Sequence, residues 1–486
     1  MNVKKSMTTT RASVLFLLLF IGAVFMVKAV GEGVLPEERE SRREARKLKR
    51  QDRIGRVPQA ILAQQSLERV KMPLVEEAVR LALTAAKQAS LPLIDRKFHQ
   101  EGKVIAVPGD YPAIQEAIDS AGPGDIVLVK PGIYYELLMM KDGVKLVSDS
   151  ADKGDELIPV QGARLKLPRR TLRTIIDGSG AKPSERGMIN FDPGISRKTI
   201  VDGFTIRNLP RQNHHIPGHA HGINIRGASP CIINCFIHHN GSTGIGSHVV
   251  YHNQDSPVAK RDFRCANVKY KASAVIYNNI IHGNLGLGIG SNHLSESYIL
   301  GNEVFGNSDA ELGEDPSPGL GNKHGSAAVI IGNIVHDNPG GGILCKVGQP
   351  QGIHHIDRPT HTTIKKNVVY TNGDSRPQIS GQGGGSKEMP VKIIENYVYG
   401  AGAVGIALSK GAVGIIEKNM VADSRRPGIS VNGSTALKLN YNKVTGAKTA
   451  PGFVILNGAR VREMKGNASD SNRGPRFMLK DGTIEK

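Results

Sequence analysis

Fifteen of the sixteen histidines in this 486-residue chain fall between residues 214 and 361. Imidazole changes charge near neutral pH and, when neutral, ligates transition metals. His214, His215, His219 and His221 form an H-H-x3-H-x-H cluster whose neutral rings would suit such an ion, although its spacing matches no standard zinc motif. Asp309, Glu311, Glu314 and Asp315 offer oxygens of the kind calcium takes, without EF-hand spacing. Lys260, Arg261, Arg264, Lys269 and Lys271 concentrate positive charge in one short stretch. These groups share one third of the chain, so the elements around residues 200–400 must position any chemistry.

Those elements announce themselves as a repeat. From Lys103 onward, β-branched runs alternate with Gly, Asn, Pro and Asp, and a seven-residue cassette recurs: DGFTIRN (202–208), NCFIHHN (234–240), NNIIHGN (278–284), GNEVFGN (301–307), GNIVHDN (332–338), KNVVYTN (366–372), ENYVYGA (395–401), KNMVADS (418–424) and YNKVTGA (441–447). The starts are 32, 44, 23, 31, 34, 29, 23 and 23 residues apart. A basic period of 23 plus inserts fits one coil of a parallel β-solenoid; helical arrays repeat at longer periods and leucine-rich repeats need a Leu frame. The fourth cassette position is Ile or Val in eight copies and Thr205 in the first, which marks an inward core residue. Asn at the second position, in seven copies, predicts an amide ladder along the axis, with Cys235 as a buried thiol filling one gap. A Gly-Ile pair follows at Gly244, Gly288, Gly342, Gly405 and Gly428, where glycine is expected to make a turn and the apolar partner to open the next strand.

Ahead of the repeat, Lys4, Lys5 and Arg11 precede an apolar run from Val14 to Val27. A charged start and a short apolar core predict a secretory signal or signal anchor over 1–31. Residues 37–57 hold nine basic and five acidic residues and read as a solvated tether. Residues 59–89 carry apolar side chains at helical spacing, so a basic linker and amphipathic capping helix are expected over 32–100. The net charge of +19 points to an anionic partner. Export argues against nucleic acid and leaves an anionic polysaccharide or a membrane surface beside the N-terminal tether.

The stretch Pro108–Glu136 (PGDYPAIQEAIDSAGPGDIVLVKPGIYYE) together with the Asn-x-[Ile/Val] and Gly-Ile repeat resembles the right-handed parallel β-helix proteins of the pectin lyase-like superfamily. The resemblance implies an all-β, right-handed parallel β-helix solenoid of about a dozen coils over 103–478, with an N-terminal helical segment. It implies no single activity, because one such fold serves many. The catalytic stretches of pectin methylesterases, polygalacturonases and Asp-Pro-His-Asp epimerases are missing, so no family catalytic residue carries over.

The inserts at 209–221, 308–318 and 373–388 precede the Gly-Ile strand, and those at 247–274 and 346–361 follow it. Stacked, they would wall a groove, with the outward fifth cassette residues Ile206, His238, His282, Phe305, His336, Tyr370 and Tyr399 as its floor. Sugars stack on aromatic rings, and His or Tyr can take a proton. The leading expectation is therefore an exported protein that binds or cleaves an acidic polysaccharide. For a lyase, Lys260, Arg261 or Arg264 would neutralise the uronate, His219, His221, His238 or Tyr370 would act as base, and His282, His336 and Tyr399 would bind substrate. The alternatives are a non-catalytic periplasmic or surface scaffold, and a metal-binding protein built on His214, His215, His219 and His221. Composition and motifs specify no cofactor.

Overall fold

The computed structural model describes residues 71–94, 102–150, 155–181, 187–211, 221–251, 268–308, 316–346 and 362–485. The 14–27 run, the 37–57 stretch, His214, His215, His219, Lys260, Arg261, Arg264 and the 309–315 loop lie outside them. From Ile126 onward the chain visits three long sheets in turn, one short strand per sheet per coil, as in Val275–Tyr277, Ile280–His282 and Ile289–Ser291. The first sheet has 15 strands and the second and third have 12 each. Neighbouring strands within each sheet are parallel and come from successive coils: Ile281 pairs with Val304, Ile276 with Ile299, and Ile289 with Leu320.

The cassette builds the second sheet and the turn that leads into it. Its first and sixth residues take left-handed backbone conformations, as at Asn278 and Gly283, or Lys366 and Thr371. Asn and Gly tolerate this region best. Between these bends the fourth residue points inward, and Ile237, Ile281, Val304, Val335, Val369, Val398, Val421 and Val444 are all fully buried. The first copy slides by one residue. Ile206, not Thr205, pairs with Ile237 and is fully buried, so Ile206 is a core residue and Arg207 holds the outward place.

The amide ladder forms at the second cassette position. From Asn279 through Asn302, Asn333, Asn367, Asn396, Asn419 and Asn442 to Asn467, each side-chain amide donates to the next Oδ1 at 2.9–3.1 Å. Cys235 occupies the gap before Asn279, buried, and its backbone amide donates to Asn279 Oδ1 at 2.8 Å. A second ladder, unforeseen, runs along the seventh position from Asn240 through Asn284, Asn307, Asn338 and Asn372 to Gln378. The glycine of the Gly-Ile pair is needed for space rather than for a turn. A Cβ on Gly288 would lie 2.3 Å from Val304 Cγ1 and 2.8 Å from the Gly319 carbonyl oxygen.

Helix α1 (Val75–Ser90) packs on the side of the stack, against Tyr298–Leu300, Val329–Ile331 and Val368–Tyr370, rather than capping an end. Its buried stripe is Ala78, Val79, Ala82 and Ala86. Small residues bring the two backbones close, and Gly301 and Gly332, the first residues of two consecutive cassettes, meet Ala86 and the Ala82 carbonyl. Helix α2 (Ile114–Ser120) buries Ile114, Ala117 and Ile118 against the strands of the first coil. An antiparallel hairpin, Leu157–Pro159 with Lys166–Pro168, adds a strap over the second sheet.

Candidate functional site

The outward column of the second sheet runs Arg207, His238, His282, Phe305, His336, Tyr370 and Tyr399 in register. From His238 to Tyr370 the rings stack with centroids 4.7–5.2 Å apart. Most of this column is covered by the protein itself. Tyr399 donates to the Pro73 carbonyl at 3.0 Å, and Arg164 Nε donates to Tyr370 Oη at 3.0 Å while its Nη1 meets Glu76 at 3.1 Å. His336 is buried between Glu303 Oε1 at 3.1 Å and Asp337 Oδ2 at 2.8 Å. The fully buried Glu303 carboxylate also accepts the Arg164 and Leu165 amides at 2.6–2.9 Å. Burial pushes the Tyr370 and Tyr399 hydroxyls above their ordinary value, which disfavours the phenolate a base would need. Helix α1 and the hairpin strap thus turn three expected groove residues, His336, Tyr370 and Tyr399, into docking points for the protein's own segments.

The Gly-Ile strands, which the inserts precede and follow in sequence, form the third sheet, so the face they would flank differs from the one expected. Its floor includes Gly246, Gly290 and Gly321, in register on successive coils and buried under neighbouring side chains. The fifth residue of each Gly-Ile strand forms a polar column on the same face: Arg226 pairs with His248, Asn292 follows in the next coil, and Lys323, Lys346 and Gln382 pair in succession. His221 lies over this floor, since a Cβ on Gly246 would sit 2.8 Å from its Cδ2. His221, just ahead of strand Ile223–Arg226, lies against the third sheet and His238 on the second, so the two do not form one acid–base pair. At the margin, His293 and His324 stack at 4.7 Å. The insert that carries Lys260, Arg261 and Arg264 leaves this margin through Val250–Tyr251 and returns through Val268–Tyr270 as an antiparallel ribbon.

A family model described as a right handed beta helix region matches residues 348–483, and a second, described as a protein of unknown function, matches residues 109–264. The described strands build a parallel β-helix, and the matched region is of the right-handed kind. No curated protein matches it significantly in sequence. Among solved structures, the β-helix is similar to the A-module of the mannuronan C-5 epimerase AlgE4 from Azotobacter vinelandii (15% identity, TM-score 0.42, 78% of this chain and 96% of the other). It is also similar to the catalytic unit of a thermostable α-1,3-glucanase from Streptomyces thermodiastaticus (12%, 0.41, 80% and 68%). A third is the tailspike gp49 of the Acinetobacter baumannii bacteriophage Fri1, a capsular polysaccharide depolymerase (11%, 0.33, 82% and 63%). Likeness at this level assigns no activity.

The β-helix thus carries two sets of chemically capable residues. The third-sheet face carries cations and imidazoles in one outward column. The exposed end of the second-sheet column holds His238, His239 and His282, whose nitrogens lie within 4.8 Å of one another. Burial, reinforced by the neighbouring imidazoles, lowers the pKa of His238 to about 3 and that of His282 to about 4. The Gly-Ile strands themselves contained the missed signal. GINIR (222–226), GIGSH (244–248), GLGNK (319–323) and GILCK (342–346) each end on a basic residue.

Proposed function

We propose that the outer face of the third sheet binds an anionic polysaccharide lying along the solenoid axis. The observation that carries this reading is the outward column Arg226, His248, Asn292, Lys323, Lys346 and Gln382 on successive coils. Successive coils advance by about 4.8 Å, comparable to one monosaccharide in an extended glycan. Cations and amides on neighbouring coils would then meet carboxylates on neighbouring sugars. The reading places the protein outside the cytoplasm, where the apolar run at 14–27 would direct it.

Titration calorimetry of the full chain against alginate, pectate and a neutral glucan tests this. Saturable binding to a polyuronate that weakens with salt, and none to the glucan, is the expected result; equal affinity for the neutral polymer would overturn it. Rising ultraviolet absorbance from unsaturated uronate ends in the same mixtures would extend the reading from a binder to a lyase.

A further inference from the structure

A second site is suggested by His238, His239 and His282, on a different sheet from the polysaccharide face and independent of it. His238 and His282 hold the same outward position on consecutive coils, with rings stacked at 5.2 Å and 11°. His239 occupies the left-handed bend after His238, and its ring meets His282 edge-on, at 5.2 Å and 86°. One coil later the bend residue is Gly283, where a Cβ would lie 3.3 Å from His239 Cε1 and Nε2. Glycine there leaves His239 room to lean across the coil.

We propose that these three histidines bind one late first-row divalent transition ion, of the zinc and copper class, with the remaining coordination position open to solvent. Their nitrogens already lie within 4.8 Å of one another. Metal–nitrogen bonds of about 2.1 Å in a tetrahedral site place ligating nitrogens about 3.4 Å apart, so the set is completed when the two stacked rings tilt toward one another. Two of the rings are held ready: Phe236 lies 4.4 Å from His238, and Phe305 stacks on His282 at 4.9 Å. His238 Nδ1 and His239 Nδ1 stand 2.7 Å apart, a separation that requires one shared proton, which a cation would displace. His239 is the exposed member and leaves the site accessible.

The aromatic column alone would be satisfied by any flat ring, as Phe305 and Tyr370 show, and this gives ligand-removing variants that keep the stack. The test is zinc titration of the chelator-treated full chain, with a competing chelator. It compares the wild type with the double variant His239→Asn/His282→Phe and with His214→Ala/His215→Ala/His219→Ala. Asn tolerates the left-handed bend and Phe keeps the stacking, and matching thermal midpoints establish that both variants are folded. The expected result is one zinc whose Kd rises at least ten-fold in the first variant and is unchanged in the second. Zinc lost only in the second variant, or bound equally tightly by the first, would overturn the proposal.

Discussion

At the residue scale, stacked amides do for the turns what hydrophobic side chains do for the interior. Asn333 donates to the Ile299 carbonyl and to Asn367, and accepts the backbone and side-chain amides of Asn302. Asn333→Ala leaves these buried groups without partners and is expected to cost about 3 kcal/mol, read as a lower midpoint in chemical denaturation. His238 and His282 predict an acid response. Unfolded histidine titrates near 6.5 and these two near 3 and 4, so between those limits the unfolded chain binds protons that the fold refuses. Their contribution is fully present above about pH 6.5 and declines as pH falls toward 4. The thermal midpoint of the metal-free protein should drop across that window, and drop less in His238→Phe/His282→Phe. An equal drop in both would assign the effect to other groups. The first ladder was legible because its amides recur at one cassette position. The second recurs as regularly in Asn240, Asn284, Asn307, Asn338 and Asn372, but Asn at the end of a strand reads equally well as a turn residue.

At the element scale, the solenoid was readable from its period, whereas the docking place of helix α1 and the hairpin strap were not. Helix α1 and the hairpin lie far in sequence from the strands they cover and share no repeat with them. Their only trace is Gly at the first position of GNEVFGN and GNIVHDN, where the helix crosses. Three strands per coil also left the choice of face open. Spacing showed inserts around the Gly-Ile strand, yet the outward aromatic residues that drew notice belong to the cassette strand one sheet away. Glu303 ties the strap to the stack through the Arg164 and Leu165 amides and His336. Glu303→Gln removes the charge from these bonds at a cost of about 2 kcal/mol. Amide exchange at Arg164 and Leu165 should quicken at least ten-fold while the ladder amides keep their protection. Unchanged exchange would show that apolar contacts alone hold the strap.

At the scale of the whole molecule, the second and third sheets of the β-helix differ in what covers them. The second sheet is largely closed by the chain's own helix and hairpin, with three histidines left at one end. The third sheet carries an outward column with basic residues on several coils. Part of the +19 charge thereby gains a location, in Arg226, Lys323 and Lys346 on three coils of one face. The most direct measurement compares polyuronate affinity of the wild type with that of Lys323→Glu/Lys346→Glu at equal ionic strength, with folding checked by thermal midpoint. Reversing two charges on adjacent coils should weaken binding at least ten-fold and abolish most of its salt dependence. Undiminished affinity in the folded variant would contradict the assignment of the third sheet as the binding face.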